Sequence, residues 1–117
     1  MKNLIPISRA DSDSLEIHYS KHLSQRLKIR KIPRDLPKTV LLKAEKRFID
    51  TRTGHRIAIK KMSYGGEERF IMVAFDISDK GITMITCHPI KEKQVSNRIK
   101  SGRWKHEGEK NSQDTLR

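Results

Sequence analysis

The chain has 117 residues, enough for one domain, with 34% hydrophobic and 34% charged residues and a formal net charge of +12. Its single cysteine, Cys87, excludes an internal disulfide framework and a zinc site built from several cysteines. The longest apolar run, Phe70–Phe75, is far shorter than the roughly 20 residues that cross a bilayer, and the first ten residues lack the apolar stretch of a signal peptide. We therefore expect a cytoplasmic protein without a membrane partner.

The positive charge is concentrated in two segments. Lys21–Lys46 holds nine basic and two acidic residues, and Lys91–Arg103 holds five basic residues and one acidic residue. Solvated helix surfaces usually mix both signs, so this excess indicates more than ordinary exposure. It predicts a polyanionic partner, with nucleic acid first, an acidic protein second and an anionic membrane surface third.

The first half of the chain predicts a short strand and two helices. Leu15–Tyr19 alternates apolar and polar residues, which is typical of a strand. Ser20 is a suitable N-cap for a helix over Lys21–Lys31, and Pro33 would end that helix. A second helix is expected to begin near Asp35, with apolar positions at Leu36, Val40, Leu41, Ala44 and Phe48.

The second half predicts three strands and a last helix. The strands cover His55–Lys61, Arg69–Ile77 and Ile82–His88, separated by turns that contain glycine. Arg69–Ile77 is almost continuously apolar, which indicates a central strand covered on both faces. The helix is expected over Lys91–Ser101, followed by a glycine that can end it.

These elements predict an α+β fold. It comprises a short N-terminal strand, two helices, a three-stranded antiparallel meander and a C-terminal helix, with the helices packed on one face of the sheet. We expect a loosely ordered N-terminus over residues 1–13 and a single domain over residues 14–104. Residues 105–117 contain one apolar residue and are expected to be a disordered polar tail.

Several familiar catalytic sites are missing from the sequence. There is no glycine-rich phosphate loop before a helix, no nucleophile elbow and no H-E-x-x-H metal motif. The acidic residues are scattered, whereas a two-metal nuclease needs clustered carboxylates. We therefore expect neither a metal nor a cofactor, and a nuclease built on this chain would work without metal.

Metal-independent RNA cleavage needs a base, an acid and cations, and the chain contains candidates for each. Histidine can remove the 2′-hydroxyl proton and protonate the 5′-oxygen, while arginine stabilises the charge that builds on phosphorus. His22 and Arg26 share a helix face with Arg30, at intervals of four residues. His88 ends the third strand of the meander. A site between the first helix, that strand and the last helix would unite these residues with Arg98 and Arg103.

Structural roles remain open for the same residues. His22 follows the N-cap and could bond to a backbone group, and His88 precedes a proline and could shape a turn. Trp104 could stack on a base or cover an edge of the core. Cys87 is expected to be a small buried apolar residue rather than a nucleophile.

A family resemblance adds to these observations. The stretch Ile17–Ile32, I-H-Y-S-K-H-L-S-Q-R-L-K-I-R-K-I, resembles the strand, histidine, x3, arginine and helix opening of small toxins of the BrnT and RelE kind. Those toxins belong to a wider set of barnase, EndoU and colicin-like RNA-cleaving domains. The resemblance covers about Ile17 to Trp104 and implies an endoribonuclease fold with an antitoxin partner. His22 and Arg26 match the opening motif, whereas residues 86–90, which include His88, and the closing segment, residues 97–104, depart from the ribosome-dependent toxins.

The leading hypothesis is a metal-independent endoribonuclease that resembles a toxin and has RNA and an acidic antitoxin-like protein as partners. The predicted catalytic residues are His22, His88, Arg26 and Arg98. The predicted RNA-binding residues are Arg30, Lys60, Lys61, Arg103 and Trp104. The alternatives are a non-catalytic basic nucleic-acid-binding module and an interaction domain for an acidic protein.

Overall fold

The computed structural model describes residues 16–107, which form an α+β domain, as the sequence predicts. Three helices and six strands occur within this range. In chain order they are β1 (Ile17–Tyr19), α1 (Lys21–Ile29), α2 (Leu36–Lys43), β2 (Lys46–Asp50), β3 (Arg56–Tyr64), β4 (Glu67–Ser78), β5 (Gly81–Ile90), α3 (Glu92–Lys100) and β6 (Trp104–His106). None of the described helices is long and apolar enough to cross a membrane.

All six strands belong to one sheet with the order β1-β5-β4-β3-β2-β6. The predicted meander forms its centre, and β4 lies between β3 and β5 as expected for the most apolar strand. β1 runs parallel to β5, and the remaining neighbours are antiparallel. The parallel pair places the start of α1 next to β5.

Two strands, β2 and β6, were not predicted. Phe48 stands four residues after Ala44 and was assigned to the second helix, but that helix ends where Ala44 adopts an extended ψ of 140°. Phe48 instead pairs with Ile57 in β2 and is fully buried. Spacing by four residues is compatible with both structures, so tertiary packing decided between them.

The helices cover both faces of the sheet, so the prediction of one covered face is wrong. The cause is β4, whose successive apolar side chains point to opposite faces and need cover on each. The face under α1 and α2 contains Leu23, Leu27, Val40, Leu41, Val73 and Phe75. The face under α3 contains Val95, Phe48, Ile57, Met72 and Trp104.

The domain continues past the predicted boundary at Trp104. Lys105 and His106 lie in β6, which pairs with β2. The Glu107 carboxylate forms an ion pair of 2.6 Å with Arg56, and its side chain is only 2% exposed. The remainder of the predicted tail, residues 108–117, lies outside the described residues, as does the predicted N-terminal segment 1–13.

Candidate active site and nucleic-acid interface

The site begins with α1, whose start is fixed on β5. Ser20 caps the helix, because its Oγ accepts a hydrogen bond from the Leu23 backbone N–H at 3.0 Å. The Ser20 backbone N–H also donates to the Met84 carbonyl in β5 at 2.9 Å. With Leu23 and Leu27 buried against the sheet, the opposite side of the helix faces solvent.

Three basic or titratable residues occupy that solvent-facing side of α1 and its C-cap. His22, Arg26 and Arg30 follow one another at intervals of one helical turn, and all three are exposed. The His22 ring has no hydrogen-bond partner among residues 16–107, so the expected alternative of a bond to the backbone is not observed in that range. Its nitrogens remain available to a ligand.

β5 supplies the second wall of the site. β1 pairs with β5 only from Ile82 to Met84, so β5 continues beyond it along an edge of the sheet. A bulge follows, because Met84 pairs with Phe75 and Thr86 pairs with Ala74, which leaves Ile85 as an extra residue. Such a bulge bends the strand and redirects its side chains.

A pocket of about 300 Å³ lies between α1 and this part of β5. We call it the first pocket. It brings together His22, Arg26 and Arg30 from the helix and Thr86 and His88 from the strand. No carboxylate lines it, so its charged groups can only be positive. Its full lining is His22, Leu23, Arg26, Arg30, Ile85, Thr86, Cys87 and His88.

A larger groove of about 760 Å³ adjoins the first pocket and shares Arg30 and His88 with it. We call it the second groove. It extends towards the α3 face of the sheet and contains an aromatic ring, that of Phe70. Four cationic residues and three glutamates also line it: Arg30, Lys61, Arg69, Lys91, Glu67, Glu68 and Glu92.

The hydrogen bond of His88 determines which ring nitrogen is free. Nδ1 lies 2.8 Å from the carbonyl oxygen of Pro89. A carbonyl can only accept, so Nδ1 must carry the proton and donate it. In the neutral ring, Nε2 then carries the lone pair and can accept a proton from a ligand.

Cys87 lines the first pocket but is unsuited to nucleophilic chemistry. The residue is only 7% exposed. Burial raises the pKa of its thiol to about 12, whereas the reactive form of cysteine is the thiolate. The expectation of a buried apolar cysteine agrees with this environment.

Arg98, Arg103 and Trp104 do not line the first pocket or the second groove. Arg103 Nε donates to both carboxylate oxygens of Asp50 at 3.1 Å, and Trp104 Nε1 donates to Asp50 Oδ2 at 3.3 Å. The guanidinium of Arg98 lies over the Trp104 ring, 5.1 Å from its centroid. These residues join α3 to β2 and β6, which lie at the edge of the sheet away from β5. Trp104 is buried and covers the core, which is the structural alternative for this residue.

The two predicted lysines of β3 separate because neighbouring residues of a strand face opposite ways. Lys61 lines the second groove, with its Nζ 3.9 Å from Glu68. Lys60 points to the other face, and its Nζ lies 3.4 Å from Glu45. Of the predicted site residues, the structure therefore brings His22, Arg26, Arg30, His88 and Lys61 to one continuous surface.

Sequence reasoning did not identify Phe70 as a site residue. Phe70 begins the apolar run of β4, which predicts a core residue, although the structure leaves it half-buried at the second groove. Lys46 and Lys61 place their ammonium groups 5.7 and 5.9 Å from its ring centroid. No local pattern distinguishes this phenylalanine from the buried Phe75 five residues later.

The site therefore combines two histidines, two arginines and a threonine in one pocket with a mixed, partly aromatic groove beside it. Within residues 16–107, no group of three histidine, cysteine or acidic side chains could hold a metal ion. Comparisons with protein-family models, with curated proteins and with solved structures found no match for the chain.

Proposed function

We propose that the chain is a metal-independent endoribonuclease, similar in kind to the BrnT and RelE toxins, and that the first pocket is its active site. The observation that carries this proposal is the meeting of His22 and His88 with Arg26 and Arg30 in a pocket without carboxylates. Two histidines supply a base and an acid, and two arginines supply charge for a phosphate.

The tautomer of His88 supports its assignment as the general base. Nε2 would accept the proton of the ribose 2′-hydroxyl, and the 2′-oxygen would then form a bond to phosphorus. As the bond from phosphorus to the 5′-oxygen breaks, protonated His22 would donate its proton to that oxygen. The products are a 2′,3′-cyclic phosphate and a 5′-hydroxyl end, and the step balances without a metal.

Arg26 and Arg30 would bind the scissile phosphate. Arginine donates several hydrogen bonds in a planar arrangement that fits phosphate oxygens, and its charge stabilises the negative charge that grows in the transition state. The absence of acidic residues from the first pocket favours this role, because a nearby carboxylate would repel the phosphate. Arg98 and Arg103 have no part in the proposed reaction because neither lines the first pocket, and Arg103 is bound to Asp50.

The proposal includes a cytoplasmic location and an acidic antitoxin-like protein as a second partner. The net charge of +12 favours such a partner, and α1 presents its basic residues to solvent. A protein segment that places carboxylates on Arg26 and Arg30 would exclude RNA from the first pocket.

Incubation of RNA with the protein in EDTA tests the proposal. We expect fragments that end in 2′,3′-cyclic phosphate, and we expect His22→Ala and His88→Ala each to slow cleavage by about 10²–10⁴-fold. His18→Ala is the matched control, because His18 is exposed beside Glu16 and lies outside the first pocket. Wild-type rates in both pocket variants would rule out the proposed catalysis. Intact RNA with salt-sensitive binding would support the non-catalytic binding module instead.

A further inference from the structure

The first pocket and the second groove differ in chemistry although they share Arg30 and His88. The first pocket is lined by cations and histidines without any acid, which suits a phosphate group. The second groove has nearly balanced charge and an aromatic ring, which suits an uncharged planar group with polar edges. A nucleotide offers these two kinds of group in adjacent positions.

Phe70 offers a ring on which such a planar group would stack. On the α3 face of the sheet, Phe70 pairs with Ile90, and His88 is two residues before Ile90 on the same strand. Phe70 and His88 are therefore diagonal neighbours on one face, with Cα atoms about 7–8 Å apart. A base on Phe70 would belong to a nucleotide next to the phosphate held between His88 and Arg30.

The surroundings of Phe70 add contacts for the rest of that nucleotide. The ammonium groups of Lys46 and Lys61 lie over the ring, 5.7 and 5.9 Å from its centroid, so a stacking base would displace one of them towards the backbone phosphate of its own nucleotide. Glu67 and Glu68 line the same groove, and carboxylates accept hydrogen bonds from the amino groups of bases. The same glutamates would repel a carboxylate or a phosphate alike, so the part of a nucleotide that fits this groove is its uncharged base.

We infer that the second groove is a nucleobase-binding subsite for single-stranded RNA, in which one unpaired base stacks on Phe70 and Arg30 contacts the phosphate attached to that nucleotide, which is the scissile phosphate of the proposed reaction. The strand must be single because a base within a duplex has no free face to stack on the ring. This inference rests on the proposed function only for the position of the scissile phosphate, since binding does not require cleavage.

The test measures binding of a non-cleavable 2′-O-methyl trinucleotide by fluorescence anisotropy in EDTA. It compares the wild type with Phe70→Leu, which removes the aromatic face, and Phe70→Trp, which keeps one. Loss of one stacked base should weaken binding about 5- to 100-fold in the leucine variant, and the tryptophan variant should bind within about threefold of the wild type. Tyr64→Leu is the matched control, because Tyr64 packs against the opposite face of the same sheet.

Abasic trinucleotides separate stacking from a purely structural role of Phe70. Removal of the base at one position should weaken binding to the wild type by a similar factor and should leave binding to Phe70→Leu unchanged. The inference fails if Phe70→Leu binds every trinucleotide as tightly as the wild type does. It also fails if the substitution weakens the binding of every abasic trinucleotide by the same factor. It also fails if a glutamate-rich peptide binds this groove more tightly than RNA in a manner that depends on Phe70.

The two proposals can fail separately. A protein that binds the trinucleotide through Phe70 but never yields cyclic phosphate ends retains the subsite and loses the nuclease assignment. A protein that cleaves RNA with the same KM and kcat in Phe70→Leu retains the nuclease assignment and loses the subsite. Absence of any trinucleotide binding overturns the subsite, and the cleavage assay then decides the remaining proposal.

Discussion

Arg103 and Asp50 form a two-pronged contact that joins the end of β2 to the segment after α3. Arg103 Nε lies 3.1 Å from each carboxylate oxygen, and Nη2 lies 3.0 Å from Oδ2. The same carboxylate accepts the indole N–H of Trp104 and the backbone N–H groups of Arg52 and Thr53. A buried acidic group is thus satisfied entirely by donors within the domain.

This contact predicts a loss of stability in acid. Burial disfavours the charged form of Asp50, but the hydrogen bonds from Arg103, two backbone amides and Trp104 outweigh it and lower the pKa to about 2 from 3.8. Because the pKa is depressed in the folded state, the stabilisation is complete above about pH 4 and disappears as the pH falls to about 2. Its size is on the order of 2 kcal/mol.

Urea unfolding between pH 2 and 6 measures this effect. The wild type should lose stability over that range, and Asp50→Asn should be less stable at pH 6 and should show a weaker dependence on pH. A variant with the wild-type pH dependence would mean that other carboxyl groups dominate acid unfolding. Asp76→Asn is a suitable control, because the Asp76 side chain is half-exposed and its carboxylate is paired with His55.

The two arginines Arg26 and Arg103 should respond oppositely to replacement by alanine. Arg26 is exposed in the first pocket, so its loss should lower the cleavage rate by about 100-fold and leave the unfolding midpoint nearly unchanged. Arg103 is bound to Asp50 away from the pocket, so its loss should cost about 1–3 kcal/mol of stability and leave the cleavage rate unchanged. Cleavage kinetics and thermal unfolding of both variants check this, and a slower Arg103→Ala enzyme of normal stability would contradict it.

Gly81 should be intolerant of a side chain because of its neighbour across the parallel pair. A Cβ atom there would lie 2.4 Å from the Glu16 carbonyl oxygen, and the backbone φ of +122° is already unfavourable for other residues. Gly81→Ala should therefore lower stability by more than about 2 kcal/mol, since both a backbone clash and conformational strain contribute.

Gly66→Ala provides the comparison for that measurement. Gly66 has a φ of +84° but no atom within 4 Å of the Cβ position, so strain alone acts and the expected loss is about 1 kcal/mol. Equal losses in the two variants, measured by urea unfolding, would mean that β1 yields to the added methyl group. The clash matters for the site, because β1 leads directly into Ser20 and the start of α1.

Local signals account for the parts of the structure that the sequence predicted. The N-cap at Ser20, the proline after α1 and the spacing of His22 and Arg26 are all contained within a few residues, so α1 and its basic side can be read directly. The meeting of His22 with His88 depends on the parallel pairing of β1 with β5 and on the bulge at Ile85. The sequence contains no local sign of either.

The sequence does not predict which face of the sheet α3 packs on, because this depends on contacts between residues that are distant in the chain. Arg98 was expected at the site because it is basic and lies on the last helix, but α3 packs on the face opposite α1. Only the start of that helix approaches the second groove, and Arg98 lies over Trp104 at its other end. The pattern of a helix shows which side of it is apolar, and it does not show which face of a two-sided sheet receives that side.

The Cys87 thiol should be unreactive in the folded protein although it lines the first pocket. Its thiol has a pKa raised to about 12 by burial, so almost no thiolate exists at pH 8. We expect iodoacetamide to modify the folded protein far more slowly than the urea-unfolded protein, as measured by mass spectrometry. Cys87→Ala should retain the cleavage rate, because the proposed reaction uses the imidazole rings and not sulfur. Rapid alkylation of the folded protein that also abolishes cleavage would show instead that the thiol is accessible in the pocket and that the histidine mechanism is incomplete.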